Sequence, residues 1–353
     1  MLLQRQDKLK EAAAIYQLTH KGFEKTFRPN DLQTLQTVIE LGDIYQRLAL
    51  LRDSETVLRR ATEDPGNELG PNQKDTTHGE HALTLVHQSR GLFREVETRT
   101  KRMIESNLKS LTADHATTLH TIRFLGMFYS RRGWLFKAEI MLKSSLGDYE
   151  RVFGPDHPQT ILTVFWLGCA KLDLMQPKEE EMLFLRALKS KENDPGTPGF
   201  LEFGEIYYQL GRTYFSQCLW KDAASNFERA LRAFEKELGA DSISVCHTAY
   251  QLGRAFNCQH LWKEAESALE RALRGYEKEM GPGHTWTLYS LVMLGTIYRE
   301  QNWIEQAEAM YERAVSSFQT HFGPSHPGTR GHRRSGHGDT PSCCQRGRIM
   351  TFR

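Results

Sequence analysis

The stretch TAYQLGRAFNCQHLWKEAESALERALRGYEKEMG, running from Thr248 to Gly281, decides the fold. Counted from Gly253, it places Leu252 just before, Phe256 three residues after, Ala265 at twelve, Leu269 at sixteen and Ala272 at nineteen. A second glycine, Gly281, follows at twenty-eight. Apolar spacings of three and four on both sides of a short break describe two amphipathic helices joined by a turn. Glycine and alanine fall where two helices cross closely, because a bulky side chain there would push the backbones apart. Gly281 stands where a helix C-cap belongs.

The pattern recurs. Leu41-Gly42, Leu125-Gly126, Leu167-Gly168, Leu210-Gly211, Leu252-Gly253 and Leu294-Gly295 are separated by 84, 42, 43, 42 and 42 residues. The interval of 84 holds two periods, with a degenerate copy at Leu83-Thr84. At +3 stands a ring (Tyr45, Tyr129, Tyr214, Phe256, Tyr298), replaced by His87 and Lys171 in two copies. At +12 stands a small residue (Ala138, Ala223, Ala265, Ala307), and at +16 a large apolar one (Leu58, Leu142, Phe184, Phe227, Leu269, Tyr311). The closing glycine at +28 is Gly70, Gly154, Gly196, Gly239, Gly281 or Gly323. Trp134, Trp220, Trp262 and Trp303 recur beside the turn and read as core packing. No hairpin can bury its apolar stripe alone, so the copies must stack.

This arrangement resembles the tetratricopeptide repeat. Its 42-residue period is similar to the kinesin light chain type, as are the linkers Phe153-Gly-Pro-Asp-His157-Pro-Gln-Thr160, Met280-Gly-Pro-Gly-His284-Thr-Trp-Thr287 and Phe322-Gly-Pro-Ser-His326-Pro-Gly-Thr329. The fold implied is all-α: an α-solenoid, a right-handed superhelix of about seven hairpins after an N-terminal half-repeat. The array is expected over 6–323, with the half-repeat at 6–28 and hairpins at 31–70, 73–112, 115–154, 157–196, 199–239, 242–281 and 284–323.

Both ends break the register. Ala12 and Tyr16 occupy the places of Ala307 and Tyr311, so 6–28 reads as a second helix without its first. A new repeat opens at Ser325-His-Pro-Gly-Thr329 and is abandoned for a basic tail, 324–353, expected to be disordered. From Arg330 onward six arginines stand against one aspartate, giving +5 and leaving −3 of the total +2 for residues 1–329. The expectation is a piece of a longer array, whose cut ends could self-associate.

A net charge of +2 with 25% charged and 39% hydrophobic residues excludes a polyanion-binding or disordered chain. The longest apolar stretch, Ile161 to Ala170, is about half a membrane span. The opening MLLQRQDKLK has no apolar signal core, and the six cysteines form no CxxC pair, which points to a reduced, cytoplasmic protein. No nucleic acid or membrane partner is expected.

Chemistry is sparse. Neither GxxxxGK[ST], GxGxxG, HExxH nor GxSxG occurs. Cys246-His247 and Cys258 with His260 flank one helix, too far apart to share an ion, so they read as core or surface groups. Glu179-Glu-Glu181 reads as a solvated helix start that suits the dipole. No catalytic residue, cofactor or metal is expected.

What remains is a surface. The resemblance implies that the first helices line a concave groove with the residues at −6, −3, +1, +4 and +5. Those positions hold His120, Arg123 and Arg131 in the third hairpin, then Tyr208 and Arg212 in the fifth. The sixth supplies His247, Tyr250, Arg254 and Asn257, and the seventh Tyr289 and Arg299. Arginine and tyrosine are the residues of binding hot spots, and a guanidinium can fork onto a carboxylate. The function implied is a non-catalytic scaffold that holds a protein or peptide partner carrying acidic residues with aromatic or aliphatic anchors. Asp43, Asp173, Glu205 and Glu300 share the surface and could instead pair with the arginines. The alternative, also by resemblance, is the repeat region of a nucleotide-binding signalling ATPase of the NB-ARC or NACHT type, separated from its NTPase domain.

Overall fold

A computed structural model describes residues 2–26, 32–48, 50–63, 74–112, 115–174, 176–193, 203–240 and 242–322. Among these residues every regular element is a helix. A single helix, α1 (Leu2–Thr26), precedes seven pairs: α2 (Leu32–Arg47) with α3 (Leu51–Glu63), α4 (Lys74–Ser89) with α5 (Phe93–Ser110), and α6 (Ala116–Arg131) with α7 (Leu135–Phe153). Then come α8 (Pro158–Asp173) with α9 (Pro177–Asn193), α10 (Phe203–Ser216) with α11 (Trp220–Leu238), α12 (Ile243–Cys258) with α13 (Trp262–Met280), and α14 (Thr285–Glu300) with α15 (Ile304–Phe322). This is the α-solenoid architecture. The basic tail and the glycines at 70, 196 and 323 lie outside the described residues.

The chain divides into two compact units, one of residues up to 131 with 136–152, the other of 132–135 with the residues from 153 onward. In the first, α1 to α6 pack consecutively; in the second, α8 to α15 do. In the six pairs that carry Leu-Gly, the +16 residue lies over the glycine: Leu58 on Gly42, Leu142 on Gly126, Phe184 on Gly168, Phe227 on Gly211, Leu269 on Gly253 and Tyr311 on Gly295. At Gly211 an added Cβ would come within 2.6 Å of the Phe227 ring, so the close crossing has room only for hydrogen.

The turns obey the same register. The residue at +7 takes a left-handed backbone in Gly91 (φ 75°), Gly133 (71°), Cys218 (60°), His260 (59°) and Asn302 (62°). The closing glycines Gly154, Gly239 and Gly281 have φ of 92°, 87° and 87°. Past them, the linker histidine is an N-cap: His157 Nδ1 accepts from Gln159 N at 3.2 Å, and His284 Nδ1 from Trp286 N at 3.3 Å. The linker threonine fastens the turn behind it, Thr160 donating to Gly154 O and Thr287 to Gly281 O, both at 2.8 Å.

The +3 ring ties one pair to the pair before it. Tyr129, Tyr214 and Tyr298 donate their hydroxyls to Glu97 (2.8 Å), Glu181 (3.0 Å) and Glu266 (2.9 Å). Where His87 replaces the ring, its Nε2 lies 3.3 Å from Glu55 Oε1. Where Phe256 stands, the residue opposite is Ala224, and the two share an apolar cluster.

Two of the readings above are corrected. Glu180, read as part of a solvated helix start, is 0% exposed. It takes the +12 place that alanine holds in four other copies, facing inward while Glu179 remains exposed. Trp303, read as core packing, is 42% exposed and stacks on Tyr298 at 5.9 Å. Its place beside the turn lets one face rest on the stack while the other meets solvent. Among the described residues no helix is long and apolar enough to cross a membrane.

Candidate functional site

In the second unit, α10 and α12 carry the same five residues, Tyr-Gln-Leu-Gly-Arg, at 208–212 and 250–254. Glutamine and arginine, three residues apart, meet along the helix, with Gln209 buried and Gln251, Arg212 and Arg254 partly exposed. Arg212 Nη1 donates to Gln209 Oε1 at 2.9 Å, and Arg254 Nη1 to Gln251 Oε1 at 2.7 Å. The amide orients each guanidinium while using one of its five N–H donors. Arg212 Nη2 also reaches Asp173 Oδ1 at 3.2 Å, a partly exposed pair of small net worth. Arg254 instead lies 4.6 Å from the centre of the Phe215 ring, a cation–π contact.

An aromatic cluster adjoins them, centred on Trp286. His247 meets its ring edge-on at 4.7 Å, Tyr250 at 5.7 Å and Tyr289 at 6.1 Å, while Tyr276 stacks at 6.2 Å with planes 19° apart. His247 Nδ1 lies 3.0 Å from the Ile243 carbonyl, which requires a proton on that nitrogen and leaves Nε2 as the acceptor. Burial pushes its pKa down, against the opposing hydrogen bond to the Ile243 carbonyl. Beside it opens a pocket of about 270 Å³, lined by Tyr208, Phe234, Ile243 and His247, with Glu205, Ser244 and Thr248 adding polar groups. Tyr250 and Asn257 are buried at 8% and 5% exposure, whereas Tyr289 is half-buried. Arg299 Nη2 donates to the neighbouring Glu300 at 3.1 Å.

The first unit is different. Arg123 is 2% exposed, with its guanidinium 5.0 Å from the Tyr149 ring centre and Nη2 2.9 Å from His120 Nδ1. Desolvation, then the Arg123 charge, pushes His120 down to about 4. Its neutral ring is therefore an acceptor for Arg123, and the two side chains serve packing more than an open surface. Arg131, at the end of α6, is exposed.

Cys246 and His247 lie at one end of α12, Cys258 and His260 at and beyond the other. Among the described residues no three His, Cys, Asp or Glu side chains are grouped to hold a metal ion. The sequence reading missed Trp286. Its signal was present: nine residues before the glycine position the other copies carry Gln33, Asp75, Thr117, Gln159, Glu202 and Ser244, and only this one a ring.

Models of the tetratricopeptide repeat match residues 118–159, 202–278 and 248–320. The protein BtubC (BKLC) from P. vanneervenii is similar in structure, with TM-score 0.54 and 17% identity over 70% of this chain and 94% of its own. A Rap protein solved in complex with competence and sporulation factor gives TM-score 0.56 and 14% identity over 81% of this chain and 77% of its own. A candidate kinesin light chain from Podosopora anserina, with nearly identical TPR-like repeats, gives TM-score 0.50 and 18% identity over 58% and 97%. At such identities the likeness shows the fold. No curated protein is significantly similar to the chain.

Proposed function

Given a chain built of tetratricopeptide repeats, we propose that the surface of α10, α12 and α14 holds an acidic peptide segment of a partner protein and catalyses nothing. The repeated Tyr-Gln-Leu-Gly-Arg carries this reading, because it sets two oriented guanidiniums in equivalent places one repeat apart. A peptide running along the stack meets both, and each can fork onto a carboxylate. The Trp286 cluster and the pocket beside His247 offer the apolar seat for an aromatic or aliphatic side chain of the same peptide. Affinity in the range of about a micromolar fits a groove that must offset peptide ordering.

The test is fluorescence anisotropy with a panel of labelled acidic peptides bearing one aromatic or aliphatic anchor. Arg212→Glu combined with Arg254→Glu should weaken binding by about tenfold or more, equivalent to ~1.4 kcal/mol, with helicity unchanged. Equal binding by the double variant would show that these arginines do not form the site.

A further inference from the structure

Glu180 is the molecule's anomaly. The +12 place is alanine in Ala138, Ala223, Ala265 and Ala307, where it lets the two helices of a pair approach. In the α8–α9 pair it is a glutamate at 0% exposure, and neither carboxylate oxygen has a hydrogen-bond partner among the described residues. Thr213, on α10, is also 0% exposed; its hydroxyl comes up to Glu180, yet its Oγ1 too makes no well-directed bond. The charged groups that act on the carboxyl are Arg212 on α10, Asp173 at the end of α8, and Glu181 on its own helix. Lys171 of α8, a buried cation, is engaged by Gln176 and Glu179, each at 2.7 Å.

We propose that Glu180 makes the joint between the α8–α9 pair and α10 proton-controlled, closed when the carboxyl is protonated and loosened when it ionises. A protonated carboxyl carries no charge into the dry crossing, whereas the Thr213 hydroxyl, donor and acceptor alike, can pair with either form. An ionised one leaves two charged oxygens without solvent, and Arg212, already shared with Gln209 and Asp173, compensates only in part. Burial is the largest influence on the proton and raises the pKa to about 7, with Thr213 and Arg212 opposing and Asp173 and Glu181 adding to the rise. A folded pKa above the unfolded one means that the stabilisation is complete below the unfolded value of 4.5 and is lost as pH rises through about 7.

Native-state hydrogen exchange on the full chain tests this, with protection factors corrected for the intrinsic rate. Between about pH 5.5 and about pH 8, protection of the α9 and α10 amides should fall on the order of tenfold more than protection of α14. In Glu180→Gln, which keeps the shape, and in Glu180→Ala, which restores the residue of the other copies, that difference should vanish, leaving both variants better protected than wild type at the higher pH. Variants that keep the wild-type pH dependence would overturn the proposal. So would failure of both to fold, since that would show the carboxylate to be needed as such.

Discussion

Tyr298 and Glu266 show what one position of the repeat accomplishes. Burial, and then the hydrogen bond to the carboxylate, raise the pKa of the Tyr298 hydroxyl, so it stays a donor at any ordinary pH. Tyr298→Phe should cost ~1 kcal/mol in a urea melt, and Glu266→Ala added to it should cost little more. Strict additivity in that cycle would mean that the tie contributes nothing. The opposite experiment uses the gap in the series, since Ala224→Glu with Phe256→Tyr should install a tie where the chain has an apolar contact. The ring at +3 was legible from spacing alone. Its partner was not, because Glu97, Glu181 and Glu266 lie in the preceding copy and only stacking brings them near. The same stacking explains His87, which sequence spacing left as an exception and which in fact faces Glu55.

At the scale of the helix, identical residues have opposite worth according to what crosses them. Gly168 in α8 lies under Phe184, and an added Cβ would sit 2.8 Å from that ring. Gly147 in α7 has nothing within 4 Å. Gly168→Ala should therefore destabilise by ~1–3 kcal/mol through overpacking. Gly147→Ala should stabilise by ~0.5–1 kcal/mol, because alanine loses less backbone freedom in a helix. Urea unfolding followed by helicity gives both signs; two losses of similar size would mean that the close crossing is not what selects glycine. Helix starts were half legible. The Gly-Pro-x-His linker marked where α8 and α14 begin, but that the imidazole accepts the orphan N–H emerges only from His157 and His284 in place. The start of α9 was misread although the +12 register points Glu180 inward, because a run of three glutamates reads chemically as a solvated face.

For the molecule as a whole, the ties predict how the stack fails in alkali. Burial, joined by the hydrogen bond to a carboxylate, raises Tyr129, Tyr214 and Tyr298, with Tyr214 reaching about 12. These folded values exceed the unfolded value of 10.0, so their stabilisation is full below pH 10 and is lost as pH rises towards the folded values. Ionisation of the tied rings, followed by tyrosinate absorbance, should accordingly be accompanied by loss of far-UV helicity. Ionisation of all 12 tyrosines with helicity retained would refute it. The sequence by itself determined the all-α class, the 42-residue unit, the glycine crossings and the closing glycines, because each is a local constraint repeated in register until chance is excluded. The tertiary structure alone decided that Arg123 is buried, that Glu180 is dry, that Arg212 and Arg254 are held by glutamines, and that Trp286 gathers four rings. Periodicity assigns a residue to a face, whereas its exposure and charge state depend on the side chains that neighbouring copies bring against it.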